Sequence, residues 1–170
     1  MKIFVSIFLT LFLFACHNLY AQNMTIILLR HAEKDISPTA NKADPDLTEA
    51  GKKRAERLVE VVKKYHPEQL FATAFKRTRA TAVPLAEQID PNYRIQIQSY
   101  SSDYLDDFAE ILLKLKTKCV VVVGHNTTTP MLANALIKQD KYKFLNDNEY
   151  NKIWIIKVRG KKITDVVIEY

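Results

Sequence analysis

Arg30-His31 closes the apolar run Thr25-Ile26-Ile27-Leu28-Leu29, and Gly124-His125 closes the run Cys119-Val120-Val121-Val122-Val123. Between them in the chain lies a basic cluster, Lys76-Arg77-Thr78-Arg79. An imidazole beside a guanidinium suits chemistry on an anion. Arginine grips phosphate oxygens in a planar fork, which lysine cannot do. A histidine can attack phosphorus and hold the phosphoryl group until water removes it. The remaining donors would then stabilise charge on the oxygens of the moving group. No Cys/His spacing points to zinc.

Groups from three distant parts of the chain need a scaffold that gathers them. Strand-like and helix-like segments alternate, as in an α/β sandwich built on a mostly parallel sheet. Thr25–Leu29 reads as a buried strand, and Asp35–Asp46, with two prolines and three aspartates, as a loop over its end. Thr48 caps a helix that runs to about Tyr65, with Ala55, Leu58, Val59 and Val62 inward. Gln69–Thr73 is a second strand, and a helix to about Gln88 follows the basic cluster, with a kink expected at Pro84. Tyr93–Gln98 alternates like an edge strand. Leu105–Lys116 is a helix with Leu105, Phe108, Ile111, Leu112 and Leu115 inward. Cys119–Val123 is the central strand, covered on both faces. A helix to about Lys138 follows, and Ile153–Val158 and Ile163–Ile168 form a hairpin around Gly160. In an open parallel sheet ligands bind outside the carboxyl ends of the strands. Arg30, His31, Arg77 and His125 would all lie on that rim. Arg79, turned about 200° from Arg77 by helical spacing, is expected at the surface.

The 170-residue chain holds one domain with a substantial core. Residues 1–21 read as a signal peptide: Lys2, then an apolar run from Ile3 to Ala15, then polar residues and a small residue, Ala21, at the cleavage point. Residues 22–170 form the domain. Leu13-Phe14-Ala15-Cys16 offers a second reading, a lipoprotein box with lipid on Cys16, which the bulky Phe14 fits poorly. Export, periplasmic or secreted, is the preferred reading. Loss of Lys2 leaves 24 basic and 19 acidic residues, a net charge of +5. The lysines are spread along the chain and do not interleave with aromatics in a patch, which argues against a nucleic-acid partner and for attraction of a small anionic substrate. The only contact with a membrane would be a lipid on Cys16. Cys119 alone remains, a small buried residue without a disulfide partner.

Four segments resemble, in order, the histidine phosphatase superfamily, also called phosphoglycerate mutase-like. They are Leu28-Leu29-Arg30-His31-Ala32-Glu33, Leu47–Ala55, Thr73–Ala82 and Val122-Val123-Gly124-His125. Together they cover the chain from about Thr25 to Lys138. The resemblance implies a three-layer α/β/α sandwich and a phosphatase without metal or organic cofactor, acting on a small phosphorylated substrate. It makes His31 the nucleophile that becomes phosphohistidine. It places Arg30, Arg77 and His125 around the phosphate, and Glu33 on the rim of the substrate pocket. The compact chain, without a long inserted cap, resembles the small bacterial phosphohistidine phosphatases.

Two departures matter. Ala32 stands where the family carries glycine, and no residue declares itself as the proton donor. By distance from Arg77 the candidate acids are Asp103, Asp106 and Asp107; Asp106 and Asp107 read more plainly as a solvated helix face, and Asp103 as the cap of that helix. A chain without an effective acid would fit labile phosphoramidates or acidic leaving groups. The competing readings are an anion-binding module that has lost turnover, and a phosphomutase, which would need a larger cap. The sequence specifies neither the physiological substrate nor the oligomeric state.

Overall fold

The computed structural model describes residues 23–89 and 96–170. The expected signal peptide, Cys16 and the first half of Tyr93–Gln98 lie outside these residues. Six strands form one sheet: β1 (Asn23–Arg30), β2 (Gln69–Ala72), β3 (Ile97–Ser99), β4 (Cys119–Gly124), β5 (Lys152–Arg159) and β6 (Lys162–Glu169). Their spatial order is β3-β2-β4-β1-β5-β6. The first four are mutually parallel, and β5 and β6 extend the sheet antiparallel beyond β1. The hairpin turns at Gly160, whose φ of 58° only glycine adopts without strain.

Strict alternation along the strands builds the two layers of core. Ile26 and Leu28 of β1, Val120 and Val122 of β4, and Trp154 and Ile156 of β5 face α3 (Leu105–Lys114) and α4 (Thr128–Ile137). Ile27, Leu29, Val121, Val123 and Ile155 face α1 (Glu49–Val62) and α2 (Lys76–Ile89). Every residue of β4 is buried, as a strand flanked on both sides and covered on both faces must be. Helices change face where the chain changes direction across the sheet, as right-handed crossovers require. The result is the expected α/β/α sandwich. Among the described residues no helix is long and apolar enough to cross a membrane.

Two local expectations need correction, while helix α2 runs unbroken through Pro84. The carbonyl that proline leaves without a donor belongs to Ala80, which is exposed and can turn to water. Helix α3 ends at Lys114, and Ile111, expected inward, is 53 % exposed. Arg79 is half-buried, its guanidinium donating to Ile97 O and Ser99 Oγ of the neighbouring edge strand.

Candidate active site

Strand register brings the predicted residues together. Arg30 pairs with Gly124 and Ala72 with both Val123 and Ser99, so β1, β2, β3 and β4 end level on one rim. The ladder continues one step beyond the strands, where His31 N–H donates to Gly124 O at 2.9 Å. The rings of His31 and His125 therefore meet edge to face, with centroids 5.5 Å apart.

His31 is 3 % exposed. Its Nδ1 lies 2.7 Å from the Ala32 carbonyl. A carbonyl only accepts, so Nδ1 carries the hydrogen and Nε2 keeps its lone pair. The segment that holds this ring is itself held. Ala32 N–H donates to Thr81 Oγ1 at 2.9 Å, and that hydroxyl donates to Arg77 O at 2.7 Å. The next residue is clamped by the cap of α1: Glu33 O accepts from Thr48 N–H, and Thr48 Oγ1 accepts from Gly51 N–H. Gly51 packs so closely that a Cβ would run into the Glu33 carbonyl.

Burial, reinforced by Arg30, His125 and Arg77, pushes the His31 imidazole down to about 3, against the pull of its bond to the Ala32 carbonyl. Burial and the cations Arg77, Arg30 and Lys34 push His125 down to about 4. Both rings are neutral at working pH. Thr73 Oγ1 holds His125 Nε2 at 3.0 Å and is braced by Thr78 Oγ1 at 3.0 Å. Phe75 packs edge-on against His125 and lies 4.3 Å beneath the Arg77 guanidinium.

The arginines define what the site lacks. Arg30 is 2 % exposed. Its Nη1 donates to Asn146 O and Glu149 O at 2.8 and 2.9 Å, and Tyr150 lies against its planar face at 4.0 Å. Its Nε has no partner. Arg77 has neither Nε nor Nη1 hydrogen-bonded. Among the described residues five buried side-chain polar atoms lack a partner, and three of them are these guanidinium nitrogens. Buried N–H donors without partners are costly and rare. Three around one pair of histidines, all contributing positive field, suit an oxyanion with several acceptor oxygens.

Of the predicted residues, His31, Arg30, Arg77 and His125 converge. Glu33 does not: Arg54 grips its carboxylate through Nε and Nη2 at 2.7 to 3.0 Å. That bond, winning over burial, holds the Glu33 carboxyl below its usual range. It braces the segment after β1 against α1. Asp103 stands exposed on the same rim, its carboxylate bonded to Ser101 Oγ, and neither caps α3 nor touches the four pocket residues. At Gly124 the close neighbours are protein: a Cβ there would meet Thr129 Oγ1 and the Tyr100 hydroxyl, both at 2.8 Å. Sequence reasoning missed Thr73, Tyr150 and the carbonyls of Asn146 and Glu149. Thr73 and Thr81 sit inside the Thr73–Ala82 motif and could have been found there. The segment 138–151 carries no comparable signal.

The sequence model of the histidine phosphatase superfamily (branch 1) matches residues 26–100. The chain is 38 % identical over 65 residues to phosphoserine phosphatase 1 of Hydrogenobacter thermophilus, a match covering 36 % of this chain and 31 % of that one. The fold is similar to that of a putative alpha-ribazole-5'-P phosphatase from Escherichia coli, with a TM-score of 0.69, 14 % identity, and 88 % and 97 % of the two chains covered. It is also similar to the protein histidine phosphatase SixA in complex with tungstate, with a TM-score of 0.68, 13 % identity, and 86 % and 97 % covered.

Because His31 and His125 resist protonation in the folded chain and not in the unfolded one, acid favours unfolding through them. Their contribution is present above about pH 6.5 and is lost as pH falls toward the depressed values near 4 and 3. The thermal midpoint should fall between pH 6.5 and 4, and fall less in His31→Gln. Equal slopes for the two proteins would contradict the assigned burial of His31.

Proposed function

We propose, from the match of residues 26–100 to the histidine phosphatase superfamily and from the geometry of the site, that the chain is a phosphatase working through a phosphohistidine on His31. The observation that carries this reading is the set of three unpaired guanidinium N–H groups beside a buried, neutral imidazole. Arg30 and Arg77 hold the phosphate oxygens, with His125 on the same group. His31 Nε2 attacks phosphorus along its lone pair. The bond to the leaving oxygen breaks, and that oxygen takes up a proton. Water then attacks the phosphorylated imidazole and releases inorganic phosphate.

Each contact has a catalytic consequence. The Nδ1–H bond to Ala32 O keeps the ring in the nucleophilic tautomer and shares the positive charge the ring gains on phosphorylation. The guanidiniums are fixed before substrate arrives, by Tyr150 and two carbonyls for Arg30 and by Phe75 for Arg77. Little reorganisation is needed when charge shifts in the transition state. The reaction draws only on protein groups and is metal-independent in this proposal.

Hydrolysis of p-nitrophenyl phosphate in EDTA tests the reading. Activity should persist, and His31→Ala should lose it by about 10³-fold or more, since that variant removes the nucleophile. A parent chain inactive on phosphoesters and phosphoramidates alike would favour an anion-binding module.

Export is proposed on the leader-like residues 1–21. Mass spectrometry of the chain recovered from intact cells should show a domain beginning at Gln22. A chain retaining residues 1–21, or beginning with a lipidated Cys16, would contradict simple cleavage.

A further inference from the structure

The proton required by the leaving group has no donor among the four pocket residues. Both histidines are neutral, and the arginines keep their protons. The rim supplies carboxylates, and their contacts separate them. Glu33 is occupied by Arg54. Glu149 is bound to Lys152 and to Asn146 N–H. Asp103 faces solvent with Ser101. Asp46 lies 3.6 Å from Lys76 Nζ, outside the pocket. Asp44 differs from all of them. Its Oδ1 accepts from Lys76 N–H at 3.0 Å and lies 3.6 Å from Arg77 Nη1. Among the described residues it is the one carboxylate within ion-pair distance of a pocket guanidinium.

The loop that carries Asp44 is held at its base. Lys34 bridges to Leu47, and Asp35 N–H donates to Asp46 O, so the loop leaves and rejoins the end of β1 beside His31. Pro45, next to Asp44, is buried. The carboxylate is thus fixed from two sides, by its own stapled loop and by the first turn of α2. At 3.6 Å from Nη1 it stands beside that donor without using it as a hydrogen bond, leaving Nη1 free for a phosphate oxygen.

We propose that Asp44 is the proton donor of this site, the catalytic residue that protonates the leaving oxygen. The assignment rests on the phosphatase reading above. The carboxylate faces the Arg77 guanidinium and the Lys76 N–H, so a phosphate held on Arg77 lies beside it. As the His31 Nε2–phosphorus bond forms and the bond from phosphorus to the leaving oxygen breaks, the Asp44 proton passes to that oxygen. The resulting carboxylate takes a proton from the water that attacks the phosphohistidine. Inorganic phosphate leaves and the carboxyl is restored.

A general acid matters in proportion to how poorly the leaving group bears charge. The test compares Asp44→Asn with the parent full-length chain on phenyl phosphate and p-nitrophenyl phosphate. Asparagine still accepts from Lys76 N–H, so an unchanged thermal midpoint is expected. The value of kcat/KM should fall by about 10²-fold or more on phenyl phosphate and by less than about tenfold on p-nitrophenyl phosphate. Asp44→Glu should recover part of the phenyl phosphate rate. An active parent in which Asp44→Asn lowers both rates equally, or neither, overturns the assignment and leaves the phosphatase reading standing. A loss confined to phenyl phosphate in Asp103→Asn and absent in Asp44→Asn also overturns it and gives the role to Asp103. A parent that hydrolyses neither ester overturns the acid role, and one inactive on phosphoramidates as well overturns the phosphatase reading with it.

Discussion

The pairing of Arg30 with Gly124 at the level ends of two buried parallel strands is the constraint on which the site depends. One residue of slip would turn Ile26 and Leu28 into the wrong core layer and reverse every side chain of β1. Both core layers therefore enforce the register, and the register delivers the two histidines to one place. The order of strands adds the third member. Because β4 lies between β1 and β2, the loop from β2 into α2 opens beside Gly124, and Arg77 arrives on the first turn of that helix. Side chains from three strand ends thereby converge, although the three segments lie far apart in sequence.

Assembling this much positive charge in a buried place has a consequence for each group. Desolvation lowers both histidines and both arginines, and the cations reinforce the effect on the imidazoles. His31 stays neutral there, and guanidinium donors are left without hydrogen-bond partners. Such a cluster is costly by itself, and a multiply charged oxyanion would offset that cost. The threonines carry much of the remaining work. Thr81 ties the turn after His31 to the helix that bears Arg77, and losing a buried partner of this kind costs about 1–3 kcal/mol. Nucleophile and clamp are thereby coupled through one hydroxyl.

The strands, the helices and the four convergent residues were legible because each is marked locally. Apolar runs ending abruptly in Arg-His or Gly-His announce a strand that delivers a functional group, and apolar stripes announce the helices. What was not legible depends on contacts between distant segments. Glu33 looked like pocket rim because it follows His31, and only the position of α1 reveals Arg54 as its partner. The close approach that Gly124 permits, to Tyr100 and Thr129, is likewise a contact between distant segments. Tyr150 and the carbonyls that orient Arg30 come from a segment without periodicity.

The central claim is that the unpaired arginine donors and His31 Nε2 converge on one phosphoryl group. A crystal structure of the chain grown with orthovanadate tests it most directly, since vanadate mimics phosphorus in transfer. The account predicts vanadium bonded to His31 Nε2, with Arg30 Nε and Arg77 Nε and Nη1 donating to its oxygens. Vanadate bound elsewhere, or in the pocket without contact to His31, would contradict it.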